Sequence, residues 1–250
     1  MTRTTSVDQP GRSGLAREAT VAIAGKLAST ETSGCGRDAR LVLLGAAGLL
    51  LALAGCSALQ PKATPQPSFY TLDNVQIETR TAKPPSAAPT LIVNPPHAAS
   101  GFDSQRIIYV RAAHQLEYFA HNEWVDTPAR MLAPLIVTAM ENRGAFRAVV
   151  LTPSAATGDM RLDTEILRLQ QDFASPPSRV RFTLRAYLED NATRRVLASR
   201  EFDESVAAAS EDPYGGVVAA NRVVQSVLKQ LADFSAEAAG TWRQSRPAGN

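Results

Sequence analysis

The sequence predicts an α+β fold: a mostly antiparallel sheet packed against two main helices, at about residues 127–143 and 213–239, in a single domain. Three observations predict it. In Arg179–Glu189, Val180, Phe182, Leu184, Ala186 and Leu188 fall on one side and Arg179, Arg181, Thr183, Arg185 and Glu189 on the other, the alternation of an antiparallel strand with one wet face. Two segments instead repeat at helical spacing: Leu132, Leu135, Ile136, Ala139 and Met140, then Val217, Ala220, Val224, Leu228, Leu231 and Phe234. Between them lie short β-rich runs punctuated by Pro, Gly and Asn, the pattern of a small sheet with turns.

In order, strands are expected at Ser68–Leu72, at Thr90–Val93 before Asn94-Pro95-Pro96, and at Arg106–Val110 and Gln115–Phe119 as a hairpin. The first helix has readable ends, because Thr127 suits the N-cap, Pro128 the first turn and Gly144 the position just past the last turn. Phe146–Leu151 reads as a strand stopped by Thr152-Pro153. Arg161–Phe173 is another, but its apolar side changes from Leu162 and Ile166 to Leu167 and Leu169. Such a change of phase requires an extra residue, so a bulge is expected near Ile166. Arg179–Glu189 turns at Asp190-Asn191 and returns over Arg195–Phe202, and Asp212-Pro213 opens the last helix with a cap and a first-turn proline.

Ahead of this lies a different kind of sequence. Residues 1–36 are polar and without strong periodicity, after which Arg37, Asp38 and Arg40 precede an apolar run, Leu41–Ala54, closed by Gly55-Cys56. A bilayer-spanning helix needs about 20 apolar residues; this run is shorter, and its basic flank, apolar centre and small-residue exit have the order of a secretory signal. Leu53-Ala54-Gly55-Cys56 resembles the lipobox of bacterial lipoproteins, in which the Cys thiol takes a diacylglyceryl group, the signal is cut before it and the new N-terminus is acylated. A cysteine among small apolar residues is otherwise a buried structural residue or part of a membrane anchor, but this one stands where the apolar run ends. The resemblance implies Cys56 as the lipidation site, a covalent lipid in place of any cofactor, and, with Ser57 rather than Asp after it, sorting to the periplasmic face of the outer membrane. Cys35 has no apolar run before it and would leave with the signal. The long polar extension before Arg37 leads us to expect a translation start further downstream.

The expected organisation is therefore residues 1–55 as extension and signal, 56–67 as lipidated Cys and Pro-rich tether, 68–242 as the folded domain and 243–250 as a flexible tail. The formal charge of +2 belongs to the first of these parts: six of the 26 basic and four of the 24 acidic side chains precede Cys56. From Cys56 onward the chain is neutral, so attachment to a membrane must come from the lipid.

The chain has no phosphate-binding G-x-x-x-x-G-K-[ST], no H-E-x-x-H, no C-x-x-C and no G-x-S-x-G, so it is not expected to be an ATPase or an enzyme of these types. His97, His114 and His121 are dispersed; a metal or acid/base site near His114, Glu117, His121 and Glu123 is weighed against solvated loop histidines, which are favoured, and no metal is expected. Gly215-Gly216 reads as a flexible junction rather than an anion site, with no Lys-Ser/Thr after it. Arg179, Arg181 and Arg185 are candidates for electrostatic contact with acidic partners or headgroups, against the plainer reading of a solvated sheet face. With only Tyr187 interleaved, nucleic acid is not an expected ligand. Tyr118 and Trp124 are the candidate partner interface, since aromatic side chains concentrate binding energy; core packing is favoured for Phe119 and weighs equally for Trp124.

Cys56, Phe69-Tyr70-Thr71-Leu72, Tyr118, Trp124, Pro134-Leu135, Asn142–Val149, the paired long strands and the C-terminal amphipathic helix together resemble the ABC-type transport auxiliary lipoprotein family, over residues 56 to about 242. The resemblance implies a noncatalytic, membrane-held α+β domain. It would work with an MCE-domain protein and an ABC permease and ATPase to move lipids or other hydrophobic compounds across the envelope, and could associate with copies of itself. The other reading of the same lipobox is a structural or assembly lipoprotein of the outer membrane.

Overall fold

One strand of 13 residues, β7 (Met160–Asp172), organises the sheet. The computed structural model describes residues 65–73, 84 and 87–245, all within the unit Thr64–Asn250. The other strands are β1 (Ser68–Tyr70), β2 (Thr90–Val93), β3 (His97–Ala98), β4 (Arg106–Val110), β5 (Glu117–Trp124), β6 (Ala148–Leu151), β8 (Arg179–Asp190) and β9 (Val196–Ala207); the helices are α1 (Pro128–Arg143) and α2 (Pro213–Ser245). Along one side of β7 runs β8, antiparallel and paired from Met160↔Asp190 to Asp172↔Arg179, and β9 pairs outside β8. Along its other side three short strands succeed one another, all parallel to it: β2 at Leu91↔Met160, β3 at His97↔Glu165 and β4 at Tyr109↔Gln171. The sheet forks beyond them, β2 carrying β6 in parallel while β4 carries β5 antiparallel and then β1 in parallel.

The long antiparallel ladders hold most of the paired residues, as expected, and both helices are present. The parallel pairings of the short strands are an addition, and they result from chain length: a few residues cannot reveal direction, which is set by where the connecting α1 returns the chain. The bulge lies where the change of phase puts it, with the β7–β8 register shifting between Ile166 and Arg168. Before it Met160, Leu162, Thr164 and Ile166 are buried, after it Leu169 and Gln171, and Leu167 is the residue passed over.

Both helices bury their stripes in one core with the inward side of β7 and β8, including Leu132, Ile136 and Met140 from α1 and Val224, Leu228 and Leu231 from α2. Thr127 has the extended backbone of a cap but makes no side-chain cap bond, and Pro128 occupies the first turn. Gly144 closes α1 in the left-handed region, φ 70°, its N–H donating to the Glu141 carbonyl. At α2, Asp212 caps with its carboxylate, accepting from Gly215 N–H at 2.7 Å and from the Ser210 hydroxyl at 3.0 Å, and the Gly215 bond above all holds that carboxyl below its usual range.

Three elements run past their expected ends. β9 continues to Ala207 because its ladder with β8 persists although Asp203-Glu204 breaks the apolar alternation. β5 continues to Trp124, whose N–H donates to the Gln105 carbonyl at 2.7 Å. α2 runs through Gly240 to Ser245, so residues 243–245 are helix and not tail. No helix among the described residues is long and apolar enough to cross a membrane.

Candidate functional site

The side of the sheet turned away from the helices has two halves of opposite chemistry. Over β7, β8 and β9 it is charged and internally paired. Arg181 Nε donates to Asp203 Oδ1 at 2.8 Å, Arg185 reaches Glu201 at 3.0 Å and Glu165 at 3.4 Å, and Arg179 donates to Ser205 Oγ at 3.1 Å and to its carbonyl at 2.9 Å. The Arg181 guanidinium, helped by the Thr183 hydroxyl, brings the Asp203 carboxyl down to about 2 against the cost of partial burial. Arg179, Arg181 and Arg185, the candidates for electrostatic contact, lie on this side of the sheet, and two of the three are already engaged by acids of the same chain. Glu165 and Glu201 stand directly opposite Arg185 in the two ladders, whereas Asp203, opposite Thr183, meets Arg181 diagonally; Arg179 alone lacks a carboxylate in this set.

Over β4, β5 and β1 the same side is part-apolar, with Arg106 and Glu123 set among its exposed hydrophobic side chains. Residues facing each other in a ladder share a side, so the register Phe69↔Glu123 and Arg106↔Glu123 places Phe69 with Arg106, and Val125 comes after Glu123 at the two-residue spacing. The guanidinium carbon of Arg106 lies 4.1 Å from the centroid of the Tyr118 ring, and Tyr118 faces Ile108. Leu116, Tyr118, Ile108 and Arg106, with Glu117, Gly101, Asp103 and Ser104, line a shallow depression of about 370 Å³. Phe69, Leu116, Tyr118 and Val125 are all exposed, Phe69 at 57% and Tyr118 at 49%. Single exposed hydrophobic residues need no explanation, whereas four grouped on one face do.

Tyr118 thus stands where a partner could meet it. Trp124 does not, and its candidacy is corrected: it is 3% exposed, inside the core, because β5 continues as far as this residue and turns its indole toward the helices. Phe119 packs against the core, in contact with Tyr109 at a centroid distance of 4.5 Å. Sequence reasoning does not single out Phe69, Leu116 and Val125. Their apolar character is visible, but in a three-residue strand and a hairpin shoulder nothing local says which side the helices leave bare.

No group of three or more His, Cys, Asp or Glu among the described residues could hold a metal ion. His97, His114 and His121 are exposed. Glu117 is engaged by Arg111, whose Nε donates at 2.9 Å and holds its carboxyl below the usual range, and by the Tyr109 hydroxyl at 3.1 Å. Gly215 and Gly216 are neither a hinge nor an anion cradle; they are places of close approach. A Cβ on Gly215 would lie 2.4 Å from the Ser210 carbonyl oxygen, and one on Gly216 2.1 Å from Gln171 Oε1. Cys56 lies outside the described residues.

These features define a class before any comparison: a small α+β domain offering an open, part-apolar sheet face rather than a cluster of reacting groups. The comparisons make the class particular. The family model of the ABC-type transport auxiliary lipoprotein component matches residues 70–232, and the chain belongs to that family. A crystal structure of a Xanthomonas campestris protein under the family model DUF330 superposes with a TM-score of 0.60 at 24% identity, covering 71% of this chain and 99% of that one. A second crystal structure, of an uncharacterized protein, gives 0.54 at 12% identity and covers 68% and 98%. At these identities the likeness speaks for the fold alone. No curated protein matches the chain at a significant level.

Proposed function

We propose that this chain is a noncatalytic, lipid-anchored auxiliary component of an ABC-type envelope transport system. In this reading an MCE-domain protein and an ABC permease–ATPase complex are its partners, and lipids or other hydrophobic compounds are the cargo. The observation that carries the reading is the match of residues 70–232 to the transport auxiliary lipoprotein family in a chain whose Leu53-Ala54-Gly55-Cys56 has the form of a lipobox. An acylated Cys56 would tether the domain at the periplasmic face of the outer membrane, and several acyl chains together make such anchoring stable where one is marginal. Association with further copies belongs to the same reading; β9, paired only to β8 in the described sheet, offers a 12-residue backbone edge for it.

Three measurements test the proposal. Metabolic labelling with a fatty acid should mark the wild-type chain and not Cys56→Ser, and membrane fractionation should place the labelled chain with the outer membrane. Cross-linking and then purification should recover an MCE-domain protein and permease subunits. Recovery of outer-membrane assembly factors alone would instead favour a structural lipoprotein.

A further inference from the structure

We infer that the part-apolar half of the open sheet face, built on Phe69, Val125, Tyr118 and Leu116, rests on the surface of the phospholipid bilayer as a second attachment beside the lipid anchor. The inference depends on the anchor at Cys56 proposed above. Phe69, the most exposed of the four, sits in β1, the first strand after the Pro-rich segment next to Cys56. A chain extends by at most about 3.3–3.6 Å per residue, so the 13 steps from Cys56 to Phe69 keep the patch within about 45 Å of the anchored cysteine. Tethering turns a contact too weak for a free protein into an intramolecular one, with a high effective concentration of its target. The bilayer is the one surface that this tether presents to the patch at every moment.

The side chains suit that target. Aromatic side chains beside basic ones are the set that settles at the boundary of headgroups and acyl chains, and here the Arg106 guanidinium lies over the face of the Tyr118 ring, 4.1 Å from its centroid. The patch also lies at the β1 end of the sheet, while the free edge of β9 lies at the other. Contact with lipid through one leaves the other open to a protein.

The test uses the full, lipid-modified chain in vesicles of phosphatidylethanolamine and phosphatidylglycerol whose acyl chains are brominated. The native Trp124 and Trp242 are buried, so Tyr118→Trp reports on the patch and Tyr214→Trp, at an exposed position on α2, serves as the control. Quenching several-fold stronger at position 118 than at 214, and reduced by adding Phe69→Asp, supports the inference. Equal quenching at both positions, or none at either, overturns it. So does a blue shift at position 118 that grows with protein concentration in the absence of lipid, which would make the face an interface between copies. The mass of the N-terminal peptide reports separately on the anchor. If Cys56 is unmodified, the anchor reading fails, and coupling the Cys56 thiol to a maleimide-bearing lipid in the same vesicles restores the tether and decides the patch by the same comparison of 118 with 214.

Discussion

The indole N–H of Trp242 donates to Asp190 Oδ2 at 2.7 Å, in a buried contact between the last turns of α2 and the β8–β9 turn. Asp190 Oδ1 meanwhile accepts from the N–H groups of Ala192 and Thr193 at 3.0 and 2.8 Å, so one carboxylate shapes the turn and holds the helix to it. Trp242 lies beyond the residues that the family model matches.

Trp242→Phe keeps most of the ring's apolar contact and leaves Asp190 Oδ2 without this donor. A buried hydrogen bond to a charged group contributes about 1.5–3 kcal/mol, and the variant should lose an amount in that range. Urea denaturation should show a lower midpoint with an unchanged slope. Trp242→Ala should cost more, about 3–5 kcal/mol, by adding a cavity.

The Asp203 carboxyl sits at about 2, against an ordinary value of 3.8, chiefly through Arg181. A carboxyl depressed by folding contributes stability that is present above its unfolded value and is lost as pH falls through the folded one. The loss attributable to this pair should therefore fall between pH 3.8 and about 2. Both side chains are more than a third exposed, so the contribution is about 1 kcal/mol or less. Asp203→Asn should lower the midpoint slightly at neutral pH and flatten the acid limb of a thermal melting series.

At Gly215 a Cβ would meet the backbone and hydroxyl of Ser210, which caps through Asp212; at Gly216 it would meet the end of Gln171, which is held by the bond from its Nε2 to Ser178 Oγ at 2.9 Å. Alanine inside a helix ordinarily gains about 1 kcal/mol over glycine. Here the sign should reverse, with overpacking costing about 1–3 kcal/mol. Gly215→Ala should be the more harmful, because backbone must move for it while only a side chain moves for Gly216→Ala. Thermal melting of both variants checks the order.

Thr164 Oγ1 is buried on the inward side of β7 without a hydrogen-bond partner. Thr164→Val replaces the hydroxyl by a methyl group of similar size in a strand that favours branching. An unsatisfied buried hydroxyl costs about 1–3 kcal/mol, so the substitution should raise the denaturation midpoint; a fall would show that the hydroxyl is satisfied in solution.

Legibility depended on periodicity and spacing. The alternation of β8, the phase change at Ile166 and both helical stripes were readable, because each is a repeat long enough to separate a buried side from an exposed one. β3, at two residues, has no period to read, and β1 at three has almost none. Trp124 was ambiguous for a related reason. Its neighbours His121, Asn122 and Glu123 are polar, and only the continuation of β5 to the Gln105 carbonyl turns the indole inward.

By itself the sequence determined the α+β class, the two helices and their stripes, the bulge, the neutral charge after Cys56 and the family resemblance, since all of these are written in local order. The tertiary structure decided which groups meet. It matched Arg181 and Arg185 with acids on neighbouring strands, brought Trp242 to Asp190 across 52 residues, and left Phe69, Leu116, Tyr118 and Val125 together on a bare face. The physical reason is that a side chain's environment depends on register and on which side of the sheet the helices cover. Both are set by contacts distant in sequence.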